Sequence, residues 1–337
     1  MKYSNNVINI LTAKTYKGIG RAWIVKNIKG NESIEDIILL LNKDAKLEYP
    51  ITVDDFENNI KIIEDKIYKL EEFIDGAVAI GDDNFPQHRG KVKNSEQPIV
   101  LFYKGDINLL DIDNNNITVI GLLNPDEEIE KREKRIVEEI IKHDITIVSG
   151  LAFGCDSIAH KQALIGGKTI AVLPSPLNNI LPAKNKNLAY EILEKRGLLI
   201  SEYHEDFKSG RELSSRYKER DRLQALFCDT IILAASYAQD SATRWKIDNK
   251  KLDSGARLAM EYAKNYNIPC AVMYNKDIDI NNPMFDLNRQ LIEEQKDIIT
   301  LTQKNLIRII NTIQEKKCIT NHRREQGYSA GLFSFDN

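Results

Sequence analysis

From residue 116 onward, short apolar runs alternate with amphipathic stretches, and this alternation constrains the fold more than any other feature of the sequence. Six runs have the length and composition of strands: 117–120, 145–148, 169–173, 198–201, 230–234 and 269–273. Continuous apolar strands separated by helices are typical of a parallel sheet that is covered on both faces. The sequence therefore predicts an α/β fold with a mostly parallel sheet. A ligand of such a sheet binds beyond the carboxyl ends of its strands.

The first part of the chain has a helical pattern instead. Phe56, Ile60, Ile63, Ile67 and Leu70 repeat at intervals of three and four residues, which indicates one buried helix face. We expect a small helical N-terminal domain over 1–78, a main α/β domain over 79–312, and a tail over 313–337.

A Gly-x-Gly turn, Gly18-Ile19-Gly20, follows the first helical stretch and allows two interpretations. It is similar to a helix-hairpin-helix, a SAM-like element whose backbone N–H groups contact a DNA phosphate. It can also be an ordinary turn in which glycine supplies a positive φ. A lone Gly-x-Gly favours the ordinary turn.

Composition excludes several classes of protein. Hydrophobic residues make up 42% and charged residues 29% of the chain, as in globular proteins. The sequence has no apolar run long enough to span a membrane and no signal-peptide pattern, so we expect a cytoplasmic protein with no membrane contact. The four cysteines and five histidines are scattered, which argues against a metal site or a disulfide framework. A net charge of −3 argues against a protein that coats DNA through overall basicity, but it leaves room for a local basic groove.

The segment 147–160 combines a strand, a glycine-containing loop and the start of a helix. Gly150 and Gly154 permit a tight turn, and the following helix N-terminus suits a phosphate. Asp156 is placed to cap that helix. The loop is neither a G-x-G-x-x-G fingerprint nor a P-loop, so a dinucleotide or ATP site is not indicated and we expect no cofactor.

The residues around this loop resemble the DprA/Smf family of DNA-processing proteins. Ser149-Gly150-Leu151-Ala152, Gly154, Asp156 and Ala159-His160 are similar to the core motif of the family. Further similar segments follow in the family's order: 169–173, 181–185, 199–203, 220–223, 254–255 and 288–292, with 85–86 and 102–105 upstream. The resemblance covers roughly 79–300, and an ordered set is more specific than any single motif.

The resemblance implies a Rossmann-like domain that binds single-stranded DNA and delivers it to a RecA-type recombinase, as a homodimer and without catalysis. A short stretch rich in arginine and lysine, 211–222, is suited to phosphate contacts. The candidate phosphate- and DNA-binding residues are Gly121, Ser149, Gly150, Gly154, Lys184, Asn185, Arg216, Lys218, Arg220, Arg222, Ser254 and Gly255. No catalytic or metal-binding residue is expected.

Several departures from the family pattern indicate a divergent member. Gly121-Leu122-Leu123 stands where the family has Gly-Ser-Arg, and Asp221 stands where it has asparagine. Residues 240–252 resemble an insertion, and the residues after 311 are too few for the family's winged helix. These departures leave open a sensor of nucleotides or nucleic acids in a mobile-element or phage-defence system. A hydrolase that uses Asp156 and Glu202 is a third, disfavoured alternative.

Overall fold

The computed structural model describes residues 2–44, 49–248, 252 and 255–315. Its N-terminal part contains four helices: α1 (Asn5–Ala13), α2 (Arg21–Asn27), α3 (Ile34–Asp44) and α4 (Val53–Tyr68). Helix α4 begins with a capping box, in which the Thr52 side chain and Asp55 satisfy each other's backbone N–H groups. Helix α1 begins at the Ser4 hydroxyl, which accepts a hydrogen bond from the Val7 N–H.

A nine-stranded sheet forms the centre of the molecule, in the order β1-β2-β6-β5-β4-β3-β7-β8-β9. Its strands are β1 (Gly76–Ala79), β2 (Val100–Gly105), β3 (Asn116–Ile120), β4 (Thr146–Ser149), β5 (Thr169–Leu173), β6 (Leu198–Ser201), β7 (Thr230–Leu233), β8 (Cys270–Val272) and β9 (Ile299–Thr300). Strands β3 to β9 pair in parallel, whereas β2 is antiparallel to both β1 and β6. The chain adds β4, β5 and β6 on one side of β3 and then places β7 on its other side. The carboxyl end of β3 is therefore a topological switch point.

Helices cover both faces of this sheet. The remaining helices are α5 (Glu127–Ile141), α6 (Cys155–Ala163), α7 (Lys186–Glu194), α8 (Gly210–Leu226), α9 (Ser241–Arg244), α10 (Gly255–Asn265), α11 (Lys276–Asp279), α12 (Asp286–Glu294) and α13 (303–315). Side chains of α8 and α10 pack with one face of the strands. Side chains of α5, α6 and α13, and those of α7 with the N-terminal helices, pack with the other face.

These elements confirm the predicted α/β fold with a mostly parallel sheet and helices on both faces. Two strands need comment. The sequence predicts that residues 81–105 form a connector that lies against the main domain and contains a short strand at 100–103. The structure has this strand as β2, inside the sheet, and β1, which the pattern does not predict, extends across the expected domain boundary at residue 78. Side chains of α1 to α4 share one hydrophobic cluster with β2, β5 and β6, so the division at residue 78 stays a prediction. Within the described ranges, none of the helices is long and apolar enough to cross a membrane.

Candidate nucleic-acid interface

The glycine loop after β4 packs tightly against the loop after β3. Gly154 has a φ of +67°, and a Cβ atom there would lie 2.1 Å from the Leu122 carbonyl oxygen. The next residue, Cys155, donates its N–H to that same oxygen at 2.9 Å. A side chain at residue 154 would therefore strain the backbone and push the two loops apart. Glycine at residue 154 therefore allows the loop after β4 to pack directly against the loop after β3.

Asp156 does not cap α6, and that expectation was wrong. The N-cap position is Gly154, and Asp156 is the second residue of the helix. Its carboxylate instead reaches back over the loop and accepts hydrogen bonds from the Gly150 N–H at 3.1 Å and the Ala152 N–H at 3.3 Å. Asp156 therefore fixes the conformation of the loop from inside the helix that follows it.

Arg220 reaches from α8 to the same loop. Its Nη1 donates to Gln224 Oε1 at 2.8 Å, and it lies 3.6 Å from both Asp156 Oδ2 and Asp221 Oδ1. A Cβ atom at Gly150 would lie 1.4 Å from Nη1, so Gly150 leaves the space that the guanidinium occupies. This contact gives a physical reason for glycine at residue 150.

These groups border a cleft of about 350 Å³ beyond the carboxyl ends of β3 and β4. The cleft brings together three of the candidate residues, Gly121, Arg220 and Gly255. Most of its lining is apolar and includes Leu123, Phe153, Pro182, Tyr217, Ala256 and Ala259. The N-terminal end of α10 borders the cleft at Gly255, close to the switch point at β3 where such folds bind ligands. Phe153 and Tyr217 are not among the candidate binding residues. A single aromatic side chain next to a glycine loop, such as Phe153, carries no pattern of its own, and Tyr217 stands in the sequence only as a stacking surface within the basic stretch 211–222.

Other candidate residues support the cleft or lie outside it. Ser149 is fully buried and donates its hydroxyl to the Val119 carbonyl. Asn185 donates to the Leu151 carbonyl at 2.7 Å and to Ser157 Oγ at 2.9 Å, so its amide fastens the loop. Lys184 and Lys218 are exposed. Ser254 lies outside the described residues.

The expectation of a basic groove formed by the arginines of α8 needs a correction. Arg216 is buried and bonds to Glu212 and to the Glu205 carbonyl. Arg222 is 1% exposed, and its guanidinium bonds to Glu202 and to the Glu96 carbonyl. The partners of Arg222 are distant in sequence, and Glu212, a partner of Arg216, lies among the charged residues of the same helix. For these reasons the sequence suggested that both arginines are exposed.

The residue after the Gly-x-Gly turn also faces the protein. Arg21 lies 3.1 Å from the Glu202 carboxylate and 2.7 Å from the Glu219 carboxylate. Glu202 thus joins Arg21 of the N-terminal part to Arg222 of α8. Burial alone would raise the pKa of Glu202, but Arg222 and Arg21 outweigh it and hold the pKa below its ordinary value. The sequence did not indicate this ionic cluster.

His160, in the core motif, is also a buried structural residue. Its Nδ1 lies 2.7 Å from the Thr169 hydroxyl, which donates to the Ile147 carbonyl. Since that hydroxyl proton is used, Nδ1 carries the ring proton and donates. Burial, and then the charge of Arg220, lower the pKa of His160 to about 3, so the imidazole is neutral in the folded protein.

A buried carboxyl group lies beside the first residue of α6, where the sequence gave no sign of it. Glu133 of α5 is fully buried beside the thiol of Cys155. Burial raises its pKa well above the ordinary value of 4.5. The folded protein therefore holds Glu133 in its neutral form at a pH where an exposed glutamate is charged.

We expect this group to make the protein less stable as the pH rises. A raised pKa in the folded state stabilises the fold below the ordinary pKa, and this contribution is lost as the pH rises through the raised value. The free energy of unfolding should therefore decline with pH more steeply in wild type than in Glu133→Gln, which has no carboxyl group to titrate. Urea titration over a pH series measures this difference. Glu128→Gln, at an exposed position of the same helix, is the matched control. Equal pH profiles for wild type and Glu133→Gln would contradict the assignment.

Comparison with known proteins agrees with this geometry. The family model described as "DNA recombination-mediator protein A" matches residues 76–310. The chain belongs to the DNA recombination-mediator protein A family. The family match covers the sheet, the glycine loop and the cleft, together with all the described candidate residues.

Relatives within the DNA recombination-mediator protein A family differ in how much they share with this chain. The "DNA processing protein DprA" of Streptococcus pneumoniae is 33% identical over 160 residues, which are 46% of this chain and 52% of that protein. The "Protein Smf" of Borreliella burgdorferi is 25% identical over 295 residues, which are 82% of this chain and 85% of that protein. The match thus spans about half the length of the S. pneumoniae relative.

Two solved structures of this family are similar to the chain. DNA processing protein A from S. pneumoniae has a TM-score of 0.67 at 24% identity, and the match covers 91% of this chain and 98% of that one. DNA processing protein A from Helicobacter pylori has a TM-score of 0.51 at 27% identity, with 65% and 88% covered. The H. pylori structure was solved for its single-stranded DNA binding mode.

Proposed function

We propose that this chain is a cytoplasmic recombination mediator that binds single-stranded DNA in DNA uptake and transformation, and that it acts by binding without a chemical step. The observation that carries the proposal is the cleft of about 350 Å³, which the family's glycine loop, Arg220 and the start of α10 build at the carboxyl ends of the strands. The H. pylori relative, solved for its single-stranded DNA binding mode, supports it.

The charges of the cleft favour a base over a phosphate inside it. Of its described lining residues, the charged ones are Asp156, Arg220 and Asp221, so the two carboxylates outnumber the one guanidinium. An apolar lining with aromatic side chains suits a base, because the flat face of a base stacks on an aromatic ring. Every base has such a face, so this contact does not depend on the DNA sequence. The phosphates then need cations outside the cleft, and the exposed Lys184 and Lys218 are candidates.

Phe153→Ala should weaken the binding of oligo-dT, because Phe153 is 40% exposed at the cleft and offers a face for stacking. Loss of one stacking platform costs about 1–3 kcal/mol, or roughly a 5- to 150-fold higher Kd. Fluorescence anisotropy with labelled oligo-dT at fixed salt measures this change. Tyr68→Ala removes an aromatic side chain that is 72% exposed on α4 and serves as the control. If both variants bind oligo-dT as tightly as wild type does, the proposal that a base lies in the cleft is wrong.

Delivery of DNA to a RecA-type recombinase, by a homodimer, is the second part of the proposal. Its support is membership of the recombination-mediator family. Sedimentation of the full chain tests the dimer. RecA filament formation on single-stranded DNA, followed with and without this protein, tests the delivery. If the protein binds oligo-dT but does not change RecA filament formation, its function is DNA binding without delivery to the recombinase.

A small nucleotide is the second candidate ligand. The mostly apolar cleft, whose described lining has no excess of positive charge, favours a small nucleotide over a long strand. A mononucleotide that raises the Tm with the logarithm of its concentration above Kd, in a protein that does not bind oligo-dT, would select this alternative.

A further inference from the structure

A second groove adjoins the cleft on the outer side of the glycine loop. It runs between α5 and α6, has a volume of about 610 Å³, and is more open than the cleft. Its described lining carries two lysines, Lys134 and Lys161, and one acid, Glu130. The amide side chains of Asn124 and Gln162 also line it. Neither lysine belongs to the basic stretch on α8 that the sequence brings forward.

The groove and the cleft meet at a shared rim. Leu123 lines both of them, and Phe153 of the cleft is followed directly by Gly154 of the groove. The two rim side chains are partly exposed, at 39% for Leu123 and 40% for Phe153. A strand with one base in the cleft can therefore cross this rim into the groove without leaving the protein surface.

The charges of the two sites are complementary to different parts of a nucleotide. The described lining of the cleft has two carboxylates and one guanidinium, whereas that of the groove has two ammonium groups and one carboxylate. Lys134 pairs with Glu130 at 2.6 Å within one helix, and both side chains are partly exposed. Such pairs contribute little to stability, so a phosphate can replace the carboxylate as the partner of Lys134. The groove thus supplies positive charge that the cleft lacks.

The groove also offers an apolar contact. Ile165, just beyond α6, lines it and is 75% exposed, which is high for an isoleucine. An exposed apolar side chain beside lysines matches a nucleotide, whose base is flat and weakly polar and whose phosphate is anionic. Non-specific single-strand binders also combine a positively charged groove with stacking surfaces for bases, and in this path the aromatic surface is Phe153 at the rim.

We propose that the groove between α5 and α6 holds the nucleotides next to the base in the cleft, with Lys161 and Lys134 on phosphates and Leu123 and Ile165 against a base. The proposal rests on the proposed function, because it extends the path of the same strand. It assigns to Leu123 a role as a rim contact, at the place where the family pattern has an arginine.

The salt dependence of binding tests the groove. Each phosphate contact on a single strand contributes about 0.7 to the slope of log K against log salt. Lys161→Ala should lower the slope for oligo-dT by about 0.7, and Lys161→Ala with Lys134→Ala by about 1.4. The control is Lys168→Ala, which removes the same charge at an exposed position that does not line the groove. Its slope should equal that of wild type.

Two outcomes would overturn the proposal, and they are distinguishable. If wild type binds oligo-dT and the groove variants keep its slope, the groove does not contact the strand, while the proposed function stands. If wild type shows no salt-dependent binding of oligo-dT, the proposed function and the groove fail together. Thermal melts of the lysine variants, at exposed positions, should match wild type and so exclude unfolding as the cause of weaker binding.

Discussion

Glu202→Ala is expected to lower the free energy of unfolding by about 3–5 kcal/mol, the cost of removing one partner from a buried ion pair. The carboxylate of Glu202 lies between Arg222 and Arg21. Its removal takes the nearer carboxylate from the guanidinium of Arg222, which is almost fully buried, and leaves the more distant Glu219 at 3.7 Å. Urea denaturation at neutral pH measures the loss. Because Arg21 belongs to the N-terminal helices, the variant should also loosen their attachment to the sheet.

Glu205→Ala is the matched control for that experiment. Glu205 also joins the N-terminal helices to the segment after β6, through Lys66 at 3.0 Å, but its side chain is exposed. An exposed ion pair contributes at most about 1 kcal/mol. Equal losses for Glu202→Ala and Glu205→Ala would show that the buried cluster is no stronger than a surface pair.

Gly150→Ala is expected to destabilise the fold and to weaken the binding of oligo-dT in the cleft. The added methyl group would occupy the position of Arg220 Nη1, and a buried guanidinium cannot move without losing Gln224. Overpacking of this kind costs about 1–3 kcal/mol. The displaced side chain should also raise the Kd for oligo-dT at least about tenfold, since 1.4 kcal/mol equals a factor of ten. Unfolding curves and fluorescence anisotropy measure the two effects.

A second substitution isolates the contact. In an Arg220→Ala background the guanidinium no longer blocks the methyl group, and the remaining close atom is Asp156 Oδ2 at 2.7 Å. Gly150→Ala should therefore cost less there, with a coupling energy of about 0.5–3 kcal/mol. Gly210→Ala is the control, since a Cβ at Gly210 has no atom of the described residues within 4 Å. The same loss in both backgrounds would contradict the contact between Gly150 and Arg220.

The sequence predicted the sheet well because its central strands are fully buried. Strands β5 and β7, for example, have an uninterrupted apolar run after their first residue. The same periodicity does not reveal β1, since Gly76–Ala79 is short and lies among turn-forming residues. Its place in the sheet depends on pairing with β2, a long-range contact that local propensity does not encode.

The site was predictable only in part, for a related reason. The ordered motifs located the glycine loop, Gly121, Arg220 and Gly255 at the cleft, which the structure brings together. Whether an arginine faces solvent or a buried carboxylate depends on residues far away in sequence. Arg222 meets Glu202, twenty positions earlier, and Arg21 meets Glu219 across 198 positions. No local pattern distinguishes such an arginine from a phosphate ligand.

The position of β7 beside β3 also determines the order in which the strands can pair while the chain is being synthesised. Strands β3 to β6 emerge in the order in which they pair, but the other edge of β3 receives its partner much later. The Asn116 N–H, for example, waits for the carboxylate of Asp229, 113 residues further along. Until then the nascent chain exposes an unpaired apolar edge, the kind of surface that aggregates. Stalling translation between β6 and β7 should therefore trap a chaperone-dependent intermediate.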